Sequence, residues 1–270
     1  MSILKEILDR KHSEVQERKS LYSTKLLEQS IYFESRTVSL KQYLLREDKS
    51  GIIAEIKRKS PSKGTLNKNV SVEKISIGYM QAGASALSVL TDSSFFGGSS
   101  EDLKTARKYN FCPILRKDFI IDPYQIVEAK SIGADAILLI AAALEENSIR
   151  ELAAFAKSLG METLLEVHNE PELQKGLNEH IDLVGVNNRD LSTFEVSLNT
   201  SRKLAEQIPA EFVKVSESGI TGPEDVISLR EHGFQGFLIG ERFMTHGRPE
   251  KACAEFIEDL RNAQDHAKTS

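Results

Sequence analysis

One pattern recurs along the 270-residue chain and restricts its fold more than any other: a helical stretch ends at glycine and a short apolar run follows at once. It occurs in QAGASALSVL around Gly83, SIGADAILLI around Gly133, SLGMETLLEV around Gly160 and EHGFQGFLIG around Gly233. A glycine in that place can enter the left-handed conformation that closes a helix, because it has no Cβ to clash. The spacings of the four glycines lie near two, one and three multiples of about 25 residues, the size of a strand-plus-helix unit with short loops. Further units are expected in the gaps, and apolar runs stand there: GIIAEI from Gly51, CPILR from Cys112, IDLVGVN from Ile181 and FVKVSE from Phe212.

Eight strand-plus-helix units result. Helix starts are signalled by Ser71, Asp122 with Pro123, Asn169 with Glu172, and Thr221 with Glu224, where short side chains can cap free backbone N–H groups. Runs such as AILLI are apolar at every position, as a parallel sheet covered by helices requires and an antiparallel sheet with one wet face does not. The pattern predicts an α/β protein, a (β/α)8 TIM barrel over residues 49–270. An open doubly wound dinucleotide-binding sheet would carry a Gly-x-Gly-x-x-Gly turn, and none is present. Residues 1–48 remain as an N-terminal helical extension packed on the barrel, with Ile3, Leu4, Ile7 and Leu8 at helical spacing and a second apolar patch at Leu40, Tyr43 and Leu44. The extension is expected to close one end of the barrel; the sharper alternative is that it also reaches over the active site.

Composition narrows the function. With 35 Lys and Arg against 40 Asp and Glu, a formal charge of −5, the chain has no global electrostatic footprint for nucleic acid or an anionic membrane surface. Any anionic ligand must be met locally. No run approaches the roughly 18–20 apolar residues of a spanning helix, and the amino terminus, MSILKEILDRKHSEVQERK, is interrupted by charge too often for a signal-peptide core. Cys112 and Cys253 stand far apart, which fits neither a disulfide framework nor a Cys-based zinc site. A cytoplasmic protein is expected, with no nucleic-acid or membrane partner and a monomer as the simplest state. The histidines show no His-Glu-x-x-His spacing and read as surface or capping residues; neither a Gly-x-Ser-x-Gly elbow nor a P-loop occurs, SPSKGT at 60–65 having Lys and Gly in the wrong order.

In a (β/α)8 barrel the chemistry comes from the carboxyl ends of the strands and the loops after them. Those ends are ionic here. Strand one ends in Glu55, Lys57, Arg58, Lys59 and Ser60, strand three in Arg116, Lys117 and Asp118, strand five holds Glu166, strand six ends in Asn187, Asn188, Arg189 and Asp190, and strand seven in Glu217 and Ser218. Residues two apart share a strand face, so Glu55 and Lys57 point the same way. A charged side chain within an apolar strand is costly unless paired. For Glu55 or Glu166 alone, an ion pair that merely closes a barrel layer is as good a reading as catalysis; several such groups at one end of different strands favour function. The last two strands run into SESGITGPED and FLIGERFM, and backbone N–H groups of Gly219, Gly240 and Glu241 suit the phosphate site this fold often carries there.

Six ordered motifs, IIAEIKRKSPSKG, ILRKDFIIDPYQI, LLEVHNEPEL, VGVNNRDL, VSESGI and FLIGERFM, cover nearly the whole chain, and it resembles the indole-3-glycerol phosphate synthase family through them. The resemblance implies a cofactor-free and metal-free lyase of tryptophan biosynthesis. Its small anionic substrate is 1-(2-carboxyphenylamino)-1-deoxyribulose 5-phosphate, and the reaction is ring closure with loss of carbon dioxide and water. By resemblance Lys117 is the general acid at the ketone, and Lys57 a second substrate-contacting lysine and candidate acid in dehydration. Glu166 either stabilises charge on the anilino nitrogen or acts as a base, Glu55 being the other candidate base. Ser60, Asn187 and Arg189 match positions holding polar groups of the substrate, Phe96 and Phe119 positions lining an aromatic pocket, and Ser218, Gly219, Gly240 and Glu241 the phosphate site.

Two departures carry expectations. Glu241 stands where some family members have serine; phosphate binding is expected to survive if its carboxylate points to solvent, and to be weak otherwise. Arg116, beside Lys117, is expected to lower the proton affinity of that lysine. The alternatives are another phosphosugar barrel, such as phosphoribosylanthranilate isomerase, or a catalytically dead scaffold. The first would lack the two lysines with two glutamates; the second would have lost some of that charge, and all four are intact.

Overall fold

Gly83, Gly133, Gly160 and Gly233 all take positive φ, between 73° and 99°, in the computed structural model, which describes residues 3–191 and 193–269 with side chains through His266. Each ends a helix and turns the chain into the next strand. The eight barrel strands are β1 (Ile52–Ile56), β2 (Ala86–Leu90), β3 (Ile114–Lys117), β4 (Ala136–Ile140), β5 (Glu162–Val167), β6 (Leu183–Asn187), β7 (Val213–Glu217) and β8 (Gly236–Ile239). All pair in parallel with their sequence neighbours, and β8 closes on β1 with Ile52 opposite Phe237. The expected (β/α)8 barrel is present.

The helices are α1 (Ile3–Leu21), α2 (Thr24–Leu27), α3 (Leu40–Leu44), α4 (Val72–Ala82), α5 (Ser100–Tyr109), α6 (Pro123–Ser131), α7 (Glu146–Ser158), α8 (Glu170–Gly176), α9 (Asn199–Ala205), α10 (Pro223–Glu231), α11 (Glu241–Met244) and α12 (Pro249–Thr269). Ser71, Asp122 and Asn169 cap α4, α6 and α8 as their sequence positions suggest. The start of α10 differs: Gly222 is the cap residue, and the Asp225 carboxylate reaches back to the N–H groups of Thr221 and Gly222. That reverse half of a capping box satisfies the same free donors from inside the helix.

Strand alternation separates two apolar layers. Ile52, Ala54, Leu87, Val89, Ile114, Ile137, Leu165, Val184 and Phe237 face outward into the helix shell, whereas Ile53, Ala86, Leu115, Leu138, Leu164, Leu183, Val215 and Leu238 fill the barrel. Leu40 and Leu44 of α3 join the inner cluster, and Leu44 lies against Gly236 at the start of β8, so the extension plugs the amino end. α1 goes to the opposite end: Ile3, Leu4 and Ile7 line the cavity at the strands' carboxyl ends. Lys11, one turn further on and 1% exposed, is 2.9 Å from both Asp92 and Asp118 in the loops after β2 and β3. The extension thus contacts both ends of the barrel, through different segments.

Candidate active site

The inward parity that places Ile53, Leu115, Leu164, Leu183 and Val215 in the core continues two or four residues along the chain to Glu55, Lys57, Lys117, Glu166, Asn187 and Glu217. These six side chains ring a cavity of about 810 Å³ at the carboxyl end of the barrel, large enough for a drug-sized ligand. Lys117 Nζ lies 3.2 Å from Glu166 Oε2 and 3.5 Å from Glu217 Oε2, and Lys57 Nζ lies 2.7 Å from Glu55 Oε1. Asn187 donates to Glu166 Oε1 at 3.2 Å while its own oxygen accepts the Arg189 N–H at 3.0 Å. Small residues make the room: a β-carbon at Gly240 would lie 2.5 Å from Glu55 Oε1, and one at Gly185 would lie 2.2 Å from Glu217 Oε1.

Electrostatics follow from three carboxylates and two ammonium groups sharing one pocket. Burial opposes the Lys117 charge, but Glu166, Glu217 and Glu55 outweigh it and hold its pKa above the ordinary lysine value. Burial likewise opposes the Glu166 charge, and Lys117, His168 and the Asn187 hydrogen bond overcome it, so this carboxyl titrates below its usual range. Glu217 goes the other way. Burial, with Glu166 and Glu55 as like-charged neighbours, outweighs the pull of Lys117 and pushes it up to about 7.

The expected lowering of Lys117 by Arg116 does not occur, because Arg116 is on the outward face of β3. Its guanidinium is 3% exposed and bonds Thr91, Asp118, Glu128 and the Gln125 carbonyl. Of the six cations that the strand ends brought together in sequence, Lys57, Lys117 and Arg189 line the cavity. Arg58 pairs with Asp102 and Lys59 with the Ser94 carbonyl, and both fasten loops. Lys63 and Arg242 complete the positive rim instead.

Phe96 and Phe119 line the cavity with ring centroids 6.1 Å apart. Their loops are tied to α1: Asp92 accepts from the Phe96 N–H, Asp118 from the Phe119 N–H, and Lys11 bridges the two carboxylates. Ser60 is buried at the cavity edge, where its hydroxyl accepts the Lys63 N–H at 3.3 Å. Ser218 and Gly219 follow β7 with φ of 65° and 82°, next to Gly240 and Glu241 after β8, and all four line the cavity. Glu241 does not extend into solvent. Its carboxylate turns across the mouth to Arg189 at 3.2 Å and Lys63 at 3.2 Å.

Two residues emerge that sequence reading passed over. Glu217 stands at a strand end without a role implied by the motifs, although the alternation Val213, Val215, Glu217 gives it the core-facing parity. His168, read as a surface or capping residue, is a half-buried neighbour of Glu166, with Nε2 3.5 Å from Oε1. Among the described residues, no group of three or more His, Cys, Asp or Glu side chains is placed to hold a metal ion, and no helix is long and apolar enough to cross a membrane.

A closed parallel barrel with a buried acid–base cluster at its carboxyl mouth and glycine turns after the last two strands defines a (β/α)8-barrel enzyme of the acid–base type. The family model described as indole-3-glycerol phosphate synthase matches residues 4–256. The indole-3-glycerol phosphate synthase of Bacteroides thetaiotaomicron is 49% identical over 258 residues, 96% of this chain and 98% of that protein; that of Acinetobacter baylyi is 44% identical over 257 residues, 95% and 96% respectively. The chain belongs to the indole-3-glycerol phosphate synthase family. Among solved structures, a mutant tryptophan synthase alpha-subunit from Pyrococcus furiosus superposes with a TM-score of 0.61 at 18% identity, covering 80% of this chain and all of that one, a likeness of fold.

Proposed function

We propose that the chain is an indole-3-glycerol-phosphate synthase, closing the indole ring of 1-(2-carboxyphenylamino)-1-deoxyribulose 5-phosphate with loss of carbon dioxide and water. The observation that carries the reading is the juxtaposition of Lys117 with Glu166 and Glu217, and of Lys57 with Glu55, around one cavity. Ring closure forms a bond between the aromatic carbon bearing the carboxylate and the ketone carbon. The ketone oxygen takes the Lys117 proton as its negative charge develops, and Glu166 offsets the positive charge that grows on the anilino nitrogen. Loss of carbon dioxide returns its bonding electron pair to the ring. The hydroxyl left at the former ketone carbon then departs as water with a proton from Lys57, while a carboxylate accepts a proton from the substrate. Glu55 and Glu217 are the candidates, and Glu217, titrating at about 7, suits a group that exchanges a proton near neutrality.

Phe96 and Phe119 give the aromatic ring an apolar wall, and Arg189, with its planar fork, suits the carboxylate. Ser60 and Asn187 hold the remaining polar groups of the substrate. The turn at Ser218 and Gly219 with the N–H groups of Gly240 and Glu241 takes the phosphate. The barrel of residues 49–270 is the catalytic domain, and the extension of residues 1–48 contributes Ile3, Leu4 and Ile7 to its cavity. A cytoplasmic setting fits the tryptophan-forming reaction. Incubation of the purified protein with the substrate, without added metal and with chelator present, is expected to give a product with indole fluorescence; no fluorescent product, or a strict metal requirement, contradicts the reading.

A further inference from the structure

His168 leaves β5 one residue beyond Val167, and its ring lies between two carboxylates. Nδ1 is 3.0 Å from Glu172 Oε2, and the same oxygen accepts the His168 backbone N–H at 2.8 Å. An ionised carboxylate only accepts, so Nδ1 carries a proton. Nε2 is buried with no hydrogen-bond partner in the protein and stands 3.5 Å from Glu166 Oε1. A neutral ring protonated at Nδ1 would aim the Nε2 lone pair at that carboxylate in a dry site; an imidazolium aims an N–H at it. Three carboxyls act on the ring, Glu172 from α8, Glu166 from β5 and Glu217 from β7, and the Lys117 ammonium of β3 lies 3.2 Å from the other oxygen of Glu166.

We propose that His168 is a positioning residue for the reaction: held as an imidazolium by Glu172, it orients the Glu166 carboxylate that faces Lys117 and keeps it ionised through the proton transfer. The need arises during turnover. While Lys117 keeps its proton, Glu166 has a counter-ion at 3.2 Å. Once Lys117 has passed that proton to the ketone oxygen, Glu166 is left beside Glu217, which favours its neutral form. A cation on the far side of the carboxylate remains in place across the step. The basicity of His168 agrees: burial opposes its charge, but the Glu172 hydrogen bond and the pull of Glu166, Glu172 and Glu217 raise its pKa above the ordinary value.

The inference rests on the ring-closure reading, and its test separates the two. In 15N NMR of histidine-labelled wild-type protein, His168, assigned by its loss in His168→Asn or its displacement in Glu172→Gln, is expected to show two protonated ring nitrogens at pH 7.5. A neutral ring at that pH overturns the proposal, and this readout needs no turnover; failure of the ring-closure reading would instead appear as wild-type protein without product. In 13C NMR of glutamate-carboxyl-labelled protein, the Glu166 signal, assigned by its loss in Glu166→Gln, is expected to titrate about one pH unit higher in His168→Asn than in the wild-type protein, with kcat at pH 8 held within a few-fold. Glu172→Gln shifts it the same way by less, and the double variant adds nothing to His168→Asn. An unmoved Glu166 titration, or a uniform loss of kcat at every pH, overturns the proposal.

Discussion

Replacing Glu217 by Gln is expected to make the protein more stable and less active at pH 8. The carboxyl is 2% exposed, its Oε1 has no hydrogen-bond partner in the protein, and burial with Glu166 and Glu55 nearby pushes its pKa from the ordinary 4.5 to about 7. The unfolded chain therefore releases this proton near pH 4.5 whereas the folded chain keeps it until about 7. Stability is lost as pH rises between those values, and the loss is complete above the folded pKa. At about 1.4 kcal/mol per pH unit the deficit amounts to about 3.5 kcal/mol, a large part of the 5–15 kcal/mol or so that holds a typical domain together. Glutamine fills the same space and cannot ionise, so the variant escapes the penalty. Guanidinium unfolding of both proteins at pH 4 and pH 8 is the assay, with turnover measured on the same samples. The two curves should coincide at pH 4 and separate by about 3.5 kcal/mol at pH 8 in favour of Glu217→Gln. Coincident curves at pH 8, or a gap of equal size at both pH values, would refute the assignment of a buried, near-neutral carboxyl.

Lys117→Ala is expected to lose about 10²–10⁴ in kcat, the usual worth of a general acid, while still binding a phosphate-bearing product analogue; an unchanged kcat removes Lys117 from the mechanism. Lys11→Met leaves Asp92 and Asp118 buried without their shared ammonium, which should cost about 3–5 kcal/mol at pH 7. The Asp118 carboxyl is held well below its usual range, burial opposing and Lys11 and Arg116 prevailing. Its contribution is thus present above the unfolded pKa and lost as pH falls through the folded one, so denaturation at pH 3 should show a smaller gap than at pH 7; a gap that does not shrink contradicts the ion-pair account. Glu241→Ser frees Arg189 and Lys63 and removes a negative charge from the phosphate lip. Inorganic phosphate should then bind roughly fivefold tighter, as read by competition with substrate, and weaker binding would show that Glu241 serves the site rather than competes with the anion.

The barrel was legible because its signals are local. A glycine closing a helix, a short cap and an apolar run of about five residues each depend on only a few neighbours, and the four glycines recover the period of the fold even where intervening units lack one. Glu55, Lys57, Lys117, Glu166 and Asn187 stood out for a related reason: polar side chains at the end of an apolar strand are costly and conspicuous. Arg116 misled because charge was counted without parity. It sits next to Lys117 in the chain but on the other face of the strand, packed against α6. Lys11 was illegible for the converse reason, since Asp92 and Asp118 come within its reach only when a helix from the other end of the chain crosses the mouth. The partners of His168, Glu166 and Glu172, stand two and four residues away, but the direction of its ring depends on the bend from β5 into α8. Glu241 combined both cases, since its departure from serine is visible in sequence but its partners Lys63 and Arg189 come from two distant loops.

In the proposed chemistry one cluster of lysines and glutamates closes a ring, releases carbon dioxide and removes water. It is tested most directly with substrate carrying 13C in the carboxyl group, following labelled carbon dioxide by mass spectrometry and the indole product by fluorescence in the same reaction. Equal molar amounts of the two, appearing together with wild-type protein and both suppressed in Lys117→Ala, are the expected result. Carbon dioxide without indole, indole retaining the label, or no turnover of this substrate by the wild-type protein would contradict it.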